Sequence, residues 1–358
     1  MRKLKVGAYL EFTPVEKGYS PSAIMEDLES LGVSDLFLLT KDTKSWAYYP
    51  TEKMNARFGS EDFYGKLVRE AKDRGIRVHA WFCLFQESLT DPSPVVKENP
   101  DIVVVNKYGK SAWEEPVWSY VDPKYSTLWI CPSSKEYRKF LMELMEEVLT
   151  RYEVDGIHYD YVRYPEAIEG RYYCYCKRCL SKFKEEYGYE LPSKDVIVLR
   201  YYVQILVENV TESVRELSEL VHSYGGKTSA YVFTDYPTAI EAIYQDWVRF
   251  SRYLDFLLPT LYEVSPSFAE RLIRNAVELT RKPIMPAVYA NKVVRRAREG
   301  SRRWSTIRGV EYILRLVESV KRGGGEGIAL FHYATLRGLT KYGLSEEDLE
   351  KLKHLSNL

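Results

Sequence analysis

Short apolar runs alternate with amphipathic stretches along the whole chain. Each run is rich in β-branched or aromatic residues, which is typical of parallel strands buried on both faces. The stretches between the runs predict helices, and serine residues mark the start of several: Ser20 and Ser265 each precede a proline, and a capping-box sequence begins at Ser133. The runs predict eight strands, at 5–12, 35–40, 76–85, 155–162, 228–234, 255–262, 283–290 and 327–333.

Eight strands that alternate with helices predict an α/β protein. The length of 358 residues suits a closed (β/α)8 TIM barrel, which is the fold that we expect. The alternative is an open doubly wound sheet, but no G-x-G-x-x-G sequence follows the first strand. Because no linker or sequence repeat interrupts the rhythm, we expect a single domain over residues 1–358. Two connections are long, residues 86–132 and residues 163–192, and both follow strands on the face where barrels carry their active sites.

Composition and charge limit the expected binding partners and cellular location of the protein. The 51 basic and 51 acidic residues cancel, so no global charge attracts nucleic acid or an anionic membrane. The N-terminal apolar run is too short for a signal peptide, and no apolar stretch is long enough to cross a membrane, which predicts a cytoplasmic protein. A charged fraction of 28% would suit a thermophilic source. The 30 Tyr and 7 Trp residues either pack in the core or stack on sugar rings in a cleft.

The run DGIHYDYVRYP, at 155–165, carries the strongest chemical signal. Side chains alternate along a strand, so His158 and Asp160 share one face and point into the predicted barrel mouth. A carboxylate there is costly unless it is paired or functional, and catalytic residues of barrels lie at the carboxyl ends of strands. Arg163 could hold Asp160 ionised or bind substrate; alternatively, the two residues only fix the loop.

This run, together with three other segments, resembles a known family. GIRVHAWF at 75–82, YVDP at 120–123, the stretch 128–165 and GIALFHY at 327–333 are similar to the glycosyl-hydrolase-like barrels of family 10 and their relatives. The resemblance covers roughly residues 5–335. It implies a glycoside hydrolase that acts on an oligo- or polysaccharide, with Asp160 at the centre of its chemistry and a carbohydrate as its partner.

Glycoside hydrolysis normally needs two carboxyl groups, so Asp160 requires a partner. Acidic residues end four other predicted strands: Glu11, Asp42, Asp235 and Glu263. Proximity of neighbouring strands favours Asp235, as does a similarity to amylase-like barrels, although those enzymes carry Glu at that place. A similarity to α-galactosidase-like barrels favours Glu263. Each of the four could instead be a loop or helix cap, and the seventh strand carries no acid, which argues against barrels with a strand 7 nucleophile.

Further side chains are candidates for lining the same mouth. His79 and His158 could bind substrate, could be hydrogen-bonded core residues, or could hold a catalytic metal together with Asp160. A carbohydrate-binding barrel without catalysis is another alternative. Trp81 is the main candidate for stacking on a sugar. The remaining candidate substrate-binding residues are Tyr9, Glu11, Arg163, Tyr262 and Tyr333.

Five cysteines divide into a cluster and a single residue. Cys174, Cys176 and Cys179 form a C-x-C-x-x-C sequence that can converge on one metal ion, and the barrel topology brings the loop of Cys131 near it. The spacing is similar to that in the zinc-bearing β-galactosidases of glycoside hydrolase family 42. We therefore predict a structural zinc with four protein ligands, in a loop at about 163–192; free or oxidised thiols are the alternative. We expect Cys83 to be a small buried residue of the third strand.

A basic segment follows the seventh predicted strand. Only Glu299 opposes its positive charges. Such a run is usually a solvated face, but arginines at a barrel mouth could also recognise a charged glycan. The basic residues are Lys292, Arg295, Arg296, Arg298, Arg302 and Arg303.

Overall fold

The central element is a parallel barrel. The structure, a computed structural model, describes residues 3–118, 126–166, 173–297, 304–353 and 355. The strand order is β6-β5-β4-β3-β2-β1-β8-β7, and single bridges between the segments of β6 and β7 nearly close the ring. This confirms the predicted (β/α)8 class. The strands are β1 Lys5–Leu10, β2 Asp35–Lys41, β3 Arg77–Cys83, β4 Gly156–Asp160, β5 Lys227–Val232, β6 Phe256–Pro259, β7 Ala287–Tyr289 and β8 Gly327–Phe331.

Helices surround the barrel and follow each strand in turn. Two short 3-10 turns, Pro100–Ile102 and Ser251–Tyr253, add to them. Among the described residues, no helix combines the length and the apolarity that crossing a membrane requires. The α-helices are Thr13–Glu16, Pro21–Ser30, Phe63–Asp73, Pro94–Glu98, Lys135–Arg151, Lys177–Tyr187, Val196–Ser223, Tyr236–Ile243, Trp247–Phe250, Pro266–Thr280, Gly309–Arg322, Tyr333–Leu336 and Glu346–Leu352.

Serine caps start the helices largely as the sequence predicts. Ser20 and Ser265 accept hydrogen bonds from backbone amides in the first turns of their helices, as expected. The predicted capping box is wrong by one residue, because Ser134 and not Ser133 caps the helix that precedes β4. Ser133 instead places its hydroxyl 3.0 Å from the sulfur of Cys131. The register of this helix start therefore leaves one serine free to contact the cysteine cluster.

Apolar side chains form two layers, one inside the barrel and one between the strands and the helices. Strand alternation decides the layer: Ile157 and Tyr159 of β4 face the helices, whereas His158 faces inward. The interior is unusually aromatic, so packing accounts for much of the aromatic composition. The buried residues of the interior cluster are Tyr9, Phe37, Leu39, Trp81, Cys83, Leu258, Met285, Ala287 and Ala329.

The long connections carry small sheets of their own. Three antiparallel strands, Gln86–Ser88, Val117–Trp118 and Ser126–Trp129, lie between β3 and β4. Two short strands, Trp46–Ala47 and Asn55–Ala56, follow β2. After β7, the basic segment forms a hairpin of Val293–Ala297 with Trp304–Arg308. Its residues Arg298, Arg302 and Arg303 lie outside the described residues, as does the YVDP segment at 120–123, so the charged-glycan hypothesis stays a prediction.

A buried ion pair anchors the loop after β3 to the end of β2. Lys41 Nζ lies 3.2 Å from Glu87 Oε1, and neither side chain is exposed to solvent. Burial raises the pKa of Glu87, but the Lys41 charge and hydrogen bonds from Ser45 and Tyr137 outweigh it, so the pKa lies below its ordinary value. Lys41 also donates to the Cys83 carbonyl at 3.0 Å. Because each charge is fully compensated, this pair fixes the two loops that border β3.

We predict that Glu87→Gln destabilises the protein strongly, because it leaves the buried Lys41 ammonium without a counter-charge. The expected loss is about 3–5 kcal/mol of unfolding free energy, measured by denaturant unfolding. The control is Lys351→Met, which breaks an exposed ion pair with Glu347 and should cost less than about 0.5 kcal/mol. Equal losses for the two variants would contradict the anchoring role.

Candidate active site

Asp160 lies at the carboxyl end of β4 and points into the barrel mouth, as strand alternation predicts. One carboxylate oxygen accepts a hydrogen bond from the indole nitrogen of Trp81 at 3.1 Å. The other accepts from the backbone amide of Tyr161 at 2.7 Å. Two donors on fixed elements therefore hold the carboxylate in one orientation, which a reacting group needs.

The surroundings of Asp160 alter its acidity. Burial among aromatic rings raises its pKa to about 6, although the Tyr161 amide, the Trp81 indole and the Arg163 charge each act to lower it. Desolvation dominates because it penalises the charged form more than these partners stabilise it. A carboxylate with such a pKa is ionised at neutral pH but is a stronger base than an ordinary aspartate, which suits it to catalysis.

The residues that follow Asp160 have special conformations. Tyr161 adopts a φ of 51°, a left-handed conformation that costs a non-glycine residue about 1–2 kcal/mol. In this conformation the backbone N–H of Tyr161 donates its hydrogen bond to the carboxylate of Asp160. The guanidinium of Arg163 lies over the Trp129 ring, 4.8 Å from its centroid, and also near Tyr161 and Phe233. Arg163 is thus placed on the rim by aromatic contacts, and its charge reaches Asp160.

A set of aromatic rings forms the wall of the mouth opposite Trp81. Tyr262 and Tyr289 stack with ring centroids 3.7 Å apart and 7° between their planes. Phe331 contacts both rings, and it also lies 6.0 Å from Trp81. Tyr231 contacts Tyr262 at 6.2 Å. These rings give the mouth an apolar, planar lining of the kind that sugar rings pack against.

The candidate partner carboxylates lie in different surroundings. Glu263 follows β6 at the exposed rim with a φ of 57°, directly after Tyr262. Asp235 is exposed and accepts a hydrogen bond from Thr238 in the first turn of the next helix. Asp42 accepts backbone hydrogen bonds from Lys44 and Trp46, so it shapes the loop after β2. Both aspartates therefore occupy the cap positions that the sequence left open as an alternative.

His158 and Tyr9 lie below the mouth and not at its surface. Tyr9 and His158 form a hydrogen bond of 2.9 Å between the hydroxyl and Nε2, and both residues are fully buried. The other ring nitrogen of His158 lies 2.9 Å from the Ser229 hydroxyl. Burial lowers the pKa of His158 well below its usual range, and the proximity of His79 adds to the effect. Both residues are therefore buried a layer below the mouth, where they support the residues above them, and their role in substrate binding stays a prediction.

His79 lies at the opposite end of the barrel. Its Nε2 is 3.1 Å from Asp35, which Arg77 also binds through two hydrogen bonds. These three residues line a cavity of about 670 Å³ at the amino-terminal ends of the strands. His79 is only the third residue of β3, so its position in the strand explains why it cannot reach the mouth. Among the described residues, His79, His158 and Asp160 do not come together as a metal-binding group.

The structure places two other aromatic candidates away from the open surface of the mouth. Trp81 is only 7% exposed and donates to Asp160, so it positions the carboxylate and does not offer a stacking face. Tyr333 is buried on the outer side of the barrel, where its hydroxyl donates to Asp27 at 2.6 Å. Among the aromatic candidates, Tyr262 is the one that the structure places in the wall of the mouth.

The sequence did not identify three residues that border the mouth. His332 follows β8 directly, and its Nδ1 lies 2.8 Å from Glu11 Oε2. Tyr231 and Tyr289 lie on inward faces of β5 and β7. The rule that singled out Asp160, a polar side chain directly after a strand, would also have found His332. Tyr231 and Tyr289 needed only the alternation rule, applied to β5 and β7 as it was to β4.

Four buried cysteines come together beside the mouth. The sulfur atoms of Cys131, Cys174, Cys176 and Cys179 all lie within 4.8 Å of one another. Cys131 is 3.5 Å from Cys179 and 3.8 Å from Cys176. These separations are too long for disulfides and approach the distance of about 3.8 Å between thiolates around a tetrahedral metal with bonds of about 2.3 Å. The group could therefore hold a metal ion.

Neighbouring donors already point at these sulfur atoms. The Val105 amide donates to Cys174 at 3.3 Å, and the Asn209 side-chain amide donates to Cys179 at 3.5 Å. Such second contacts orient metal-binding thiolates and offset their charge. Val105 belongs to the loop after β3 and Asn209 to the helix Val196–Ser223, so the cluster joins both long connections to the body of the barrel. Among the described residues, no other group of three or more His, Cys, Asp or Glu side chains converges in this way.

The model of the family described as Glycosyl hydrolase-like 10 matches residues 33–296, well over half of the chain. The protein therefore belongs to this family, which confirms the resemblance noted in the sequence. The local similarity of the cysteine sequence to family 42 β-galactosidases is not confirmed and stays a prediction.

Two curated relatives are described as glycosyl hydrolases. Glycosyl hydrolase YngK of Bacillus subtilis (strain 168) is 25% identical over 183 residues, which cover 48% of this chain and 31% of the relative. Glycosyl hydrolase DigH of Escherichia coli (strain K12) is 24% identical over 161 residues, covering 40% of this chain and 34% of the relative. The matches thus span about a third of each relative's length.

Solved structures share the fold across nearly the whole chain. The catalytic domain of β-amylase from Paenibacillus polymyxa has a TM-score of 0.64 at 12% identity, covering 99% of this chain and 98% of that one. Endo-1,4-β-mannanase from Rhizomucor miehei has a TM-score of 0.59 at 12% identity, covering 99% and 94%. α-L-Fucosidase isoenzyme 2 from Paenibacillus thiaminolyticus has a TM-score of 0.60 at 17% identity, covering 100% and 49%. At these identities, the likeness shows the fold alone.

The raised pKa predicts that Asp160→Asn stabilises the protein at neutral pH. The unfolded chain has an ordinary aspartate pKa of about 3.9, so ionised Asp160 costs folding free energy that grows between about pH 4 and its folded pKa of about 6. At about 1.4 kcal/mol per pKa unit, the gain should approach about 3 kcal/mol near pH 8 and vanish near pH 3. The unfolding free energies of the wild type and of Asp160→Asn, measured across this pH range, test the prediction.

The matched control is Asp235→Asn, at an exposed aspartate that also follows a barrel strand. Asparagine keeps an oxygen that can accept the hydrogen bond from the Thr238 hydroxyl, so the change should stay within about 0.5 kcal/mol at every pH. If the difference in unfolding free energy between the wild type and Asp160→Asn does not vary with pH, Asp160 is not desolvated in the folded protein.

Proposed function

We propose that this protein is a glycoside hydrolase that cleaves a glycosidic bond of an oligo- or polysaccharide, with Asp160 as nucleophile or general base. The observation that carries the proposal is Asp160 itself: a desolvated carboxylate, held by Trp81 and Tyr161, at the carboxyl end of a barrel strand. Membership of a glycosyl hydrolase-like family and the names of the relatives support the same chemistry.

Glu263 is the partner that we propose as the general acid. Burial raises the pKa of Tyr262, and the charges of Tyr289 and Asp160 add to the effect. Burial likewise raises the pKa of Tyr289, with Glu263 adding to it. Tyr262 and Tyr289 stack directly, and Glu263 directly follows Tyr262, so Asp160 and Glu263 each act electrostatically on one ring of the same aromatic pair. Asp235 has less support because it is exposed and its carboxylate accepts a hydrogen bond from the Thr238 hydroxyl.

The two carboxyl groups would divide the reaction between them. The ionised Asp160 attacks the anomeric carbon or activates a water molecule, while Glu263 protonates the leaving oxygen. The separation of the two groups in the substrate complex decides between retention, at about 5–5.5 Å, and inversion, at about 6.5–9.5 Å. Arg163 and the Tyr262–Tyr289 pair would hold the sugar at the rim.

We predict that the wild-type protein cleaves at least one member of a panel of oligosaccharides and polysaccharides, and that Asp160→Asn lowers its kcat by about 10³-fold or more. Because the ionised carboxylate acts, kcat/KM of the wild type should fall as the pH drops below about 6. Glu263→Gln should lower kcat as well, whereas Asp235→Asn should not. Product release on the panel is the measurement.

Two outcomes would contradict this assignment. If Asp160→Asn cleaves as well as the wild type, Asp160 is not the reacting group. If the wild type binds a glycan from the panel but cleaves none, the barrel is a carbohydrate-binding protein without catalysis, the alternative that the sequence also allows.

We propose further that the four cysteines bind one structural zinc ion. Four thiolates complete a tetrahedron and leave no open position, so the ion would supply rigidity and no catalysis. It would join Cys131, ahead of the helix Lys135–Arg151, to the C-x-C-x-x-C sequence after β4. The loop that leaves the Asp160 strand would thereby be fixed to the rim.

Elemental analysis of the protein purified without chelators should find about one zinc ion per chain. Cys176→Ser should remove most of it, because three thiolates bind zinc much more weakly than four. Cys83→Ser, at a buried cysteine outside the cluster, is the control and should keep the metal. Less than about a tenth of an equivalent of zinc in the wild type would rule the site out.

A further inference from the structure

Two polar side chains in the aromatic mouth lack hydrogen-bond partners among the described residues. Both carboxylate oxygens of Glu11 are buried without a hydrogen-bond donor, and so is the hydroxyl of Tyr231. His332 Nδ1 lies 2.8 Å from Glu11 Oε2, which makes an ion pair possible, but its direction does not make a hydrogen bond. Buried polar groups are almost always satisfied, so each of these atoms calls for an explanation.

The positions of these groups relate them to Asp160. Glu11 follows β1 on the same face as Tyr9, which points into the barrel interior. The ring of His332 lies 5.0 Å from Phe331, and Phe331 lies 6.0 Å from the Trp81 ring that holds Asp160. Tyr231 contacts the same Phe331 at 6.4 Å. The unsatisfied atoms therefore border the rings that surround the reacting carboxylate.

The described side chains around Glu11 do not donate hydrogen bonds to its carboxylate, as they would if the residue were purely structural. The second ring nitrogen of His332 lies 3.3 Å from the Thr335 hydroxyl, which fixes the orientation of the imidazole. The Lys41–Glu87 pair shows how this chain satisfies a buried carboxylate when its role is structural: Glu87 receives hydrogen bonds from Ser45, Tyr137 and the Ser93 amide. Glu11 has no such set of donors among the described residues.

A sugar ring supplies the missing partners. Its hydroxyl groups can donate to the two oxygens of a carboxylate and can either donate to or accept from a tyrosine hydroxyl. We infer that Glu11 and Tyr231 bind hydroxyl groups of the sugar unit whose glycosidic bond Asp160 attacks, with His332 as the positioning residue for Glu11. The inference rests on the proposed function and adds the residues that decide which sugar is accepted.

The same geometry restricts the chemistry of that sugar unit. A carboxylate or phosphate group on it would meet the negative charge of Glu11 in a desolvated place, where repulsion between like charges is strong. The unit held beside Asp160 is therefore a neutral, hydroxylated sugar. Any recognition of acidic groups by the basic hairpin after β7 would concern other units of the glycan.

The experiment uses aryl glycosides of neutral hexoses and pentoses, each with a p-nitrophenyl or a more reactive 2,4-dinitrophenyl leaving group, and the matching glucuronides. With the neutral glycoside that the wild type cleaves, Glu11→Gln should lower kcat/KM by about 100-fold, and Tyr231→Phe by about 10-fold. A binding role predicts equal losses for both leaving groups. Glucuronides should be cleaved poorly by the wild type.

Variants of His332 separate positioning from simple loss of structure. His332→Asn keeps an amide donor near the position of Nδ1 and should stay within about 10-fold of the wild type. His332→Leu removes the donor and should approach the loss of Glu11→Gln. The control is His222→Gln, because His222 makes a similar contact of 3.0 Å with Asp255 at the other end of the barrel. It should leave kcat/KM unchanged.

The outcomes distinguish this inference from the proposed function. If Glu11→Gln keeps wild-type kcat/KM while Asp160→Asn abolishes cleavage, the inference is wrong and the proposed function stands. If the loss in Glu11→Gln is confined to the p-nitrophenyl substrates, Glu11 is the general acid and not a binding residue. If the wild type cleaves no glycoside, or Asp160→Asn cleaves as well as the wild type, the proposed function fails and the inference fails with it.

Discussion

The desolvation of Asp160 is the constraint around which the rest of the mouth is arranged. A carboxylate among aromatic rings is costly, and among the described residues it accepts two hydrogen bonds, from Trp81 and the Tyr161 amide. The protein could lower this cost with a closer cation, as it does for Asp35 with Arg77 at the other end of the barrel. It instead keeps Arg163 on the rim, stacked over Trp129. Stability is thus exchanged for a carboxylate of raised basicity.

Such a site needs rigid surroundings, and two clusters supply them. The Lys41–Glu87 pair fixes the loop after β3 to the end of β2, and the four cysteines join the loop after β4 to the helix Val196–Ser223. Both lie in connections that leave the carboxyl ends of the strands. The layer of Tyr9 and His158 supports Asp160 from below. Asp160 is therefore positioned from three sides by groups that take no part in the chemistry.

The sequence predicted the eight strands because each is a short buried apolar run rich in β-branched or aromatic residues, and the predicted strand at 155–162 contains β4, Gly156–Asp160. Spacing and topology together also predicted the cysteine cluster. Alternation tells which face of a strand a side chain occupies, but not its depth in the barrel. For this reason His79 and His158 were assigned to the mouth, although one lies at the opposite end and the other a layer below.

Other features could not be predicted because they depend on pairing between distant segments. Nothing around Glu87 in the sequence indicates that Lys41, 46 residues earlier, will neutralise it inside the protein. The pairing of Glu11 with His332 likewise joins the first and the last strand of the barrel. The choice among partner acids stayed open for a related reason: caps and catalytic acids use the same residue types at the same strand ends.

The titration of Asp160 itself shows whether its carboxylate is desolvated. Protein labelled with ¹³C at the aspartate carboxyl carbons can be titrated by NMR, with the Asp160→Asn spectrum identifying the signal. We expect this signal to titrate with a pKa of about 6. A pKa near the ordinary value of about 3.9 would contradict it.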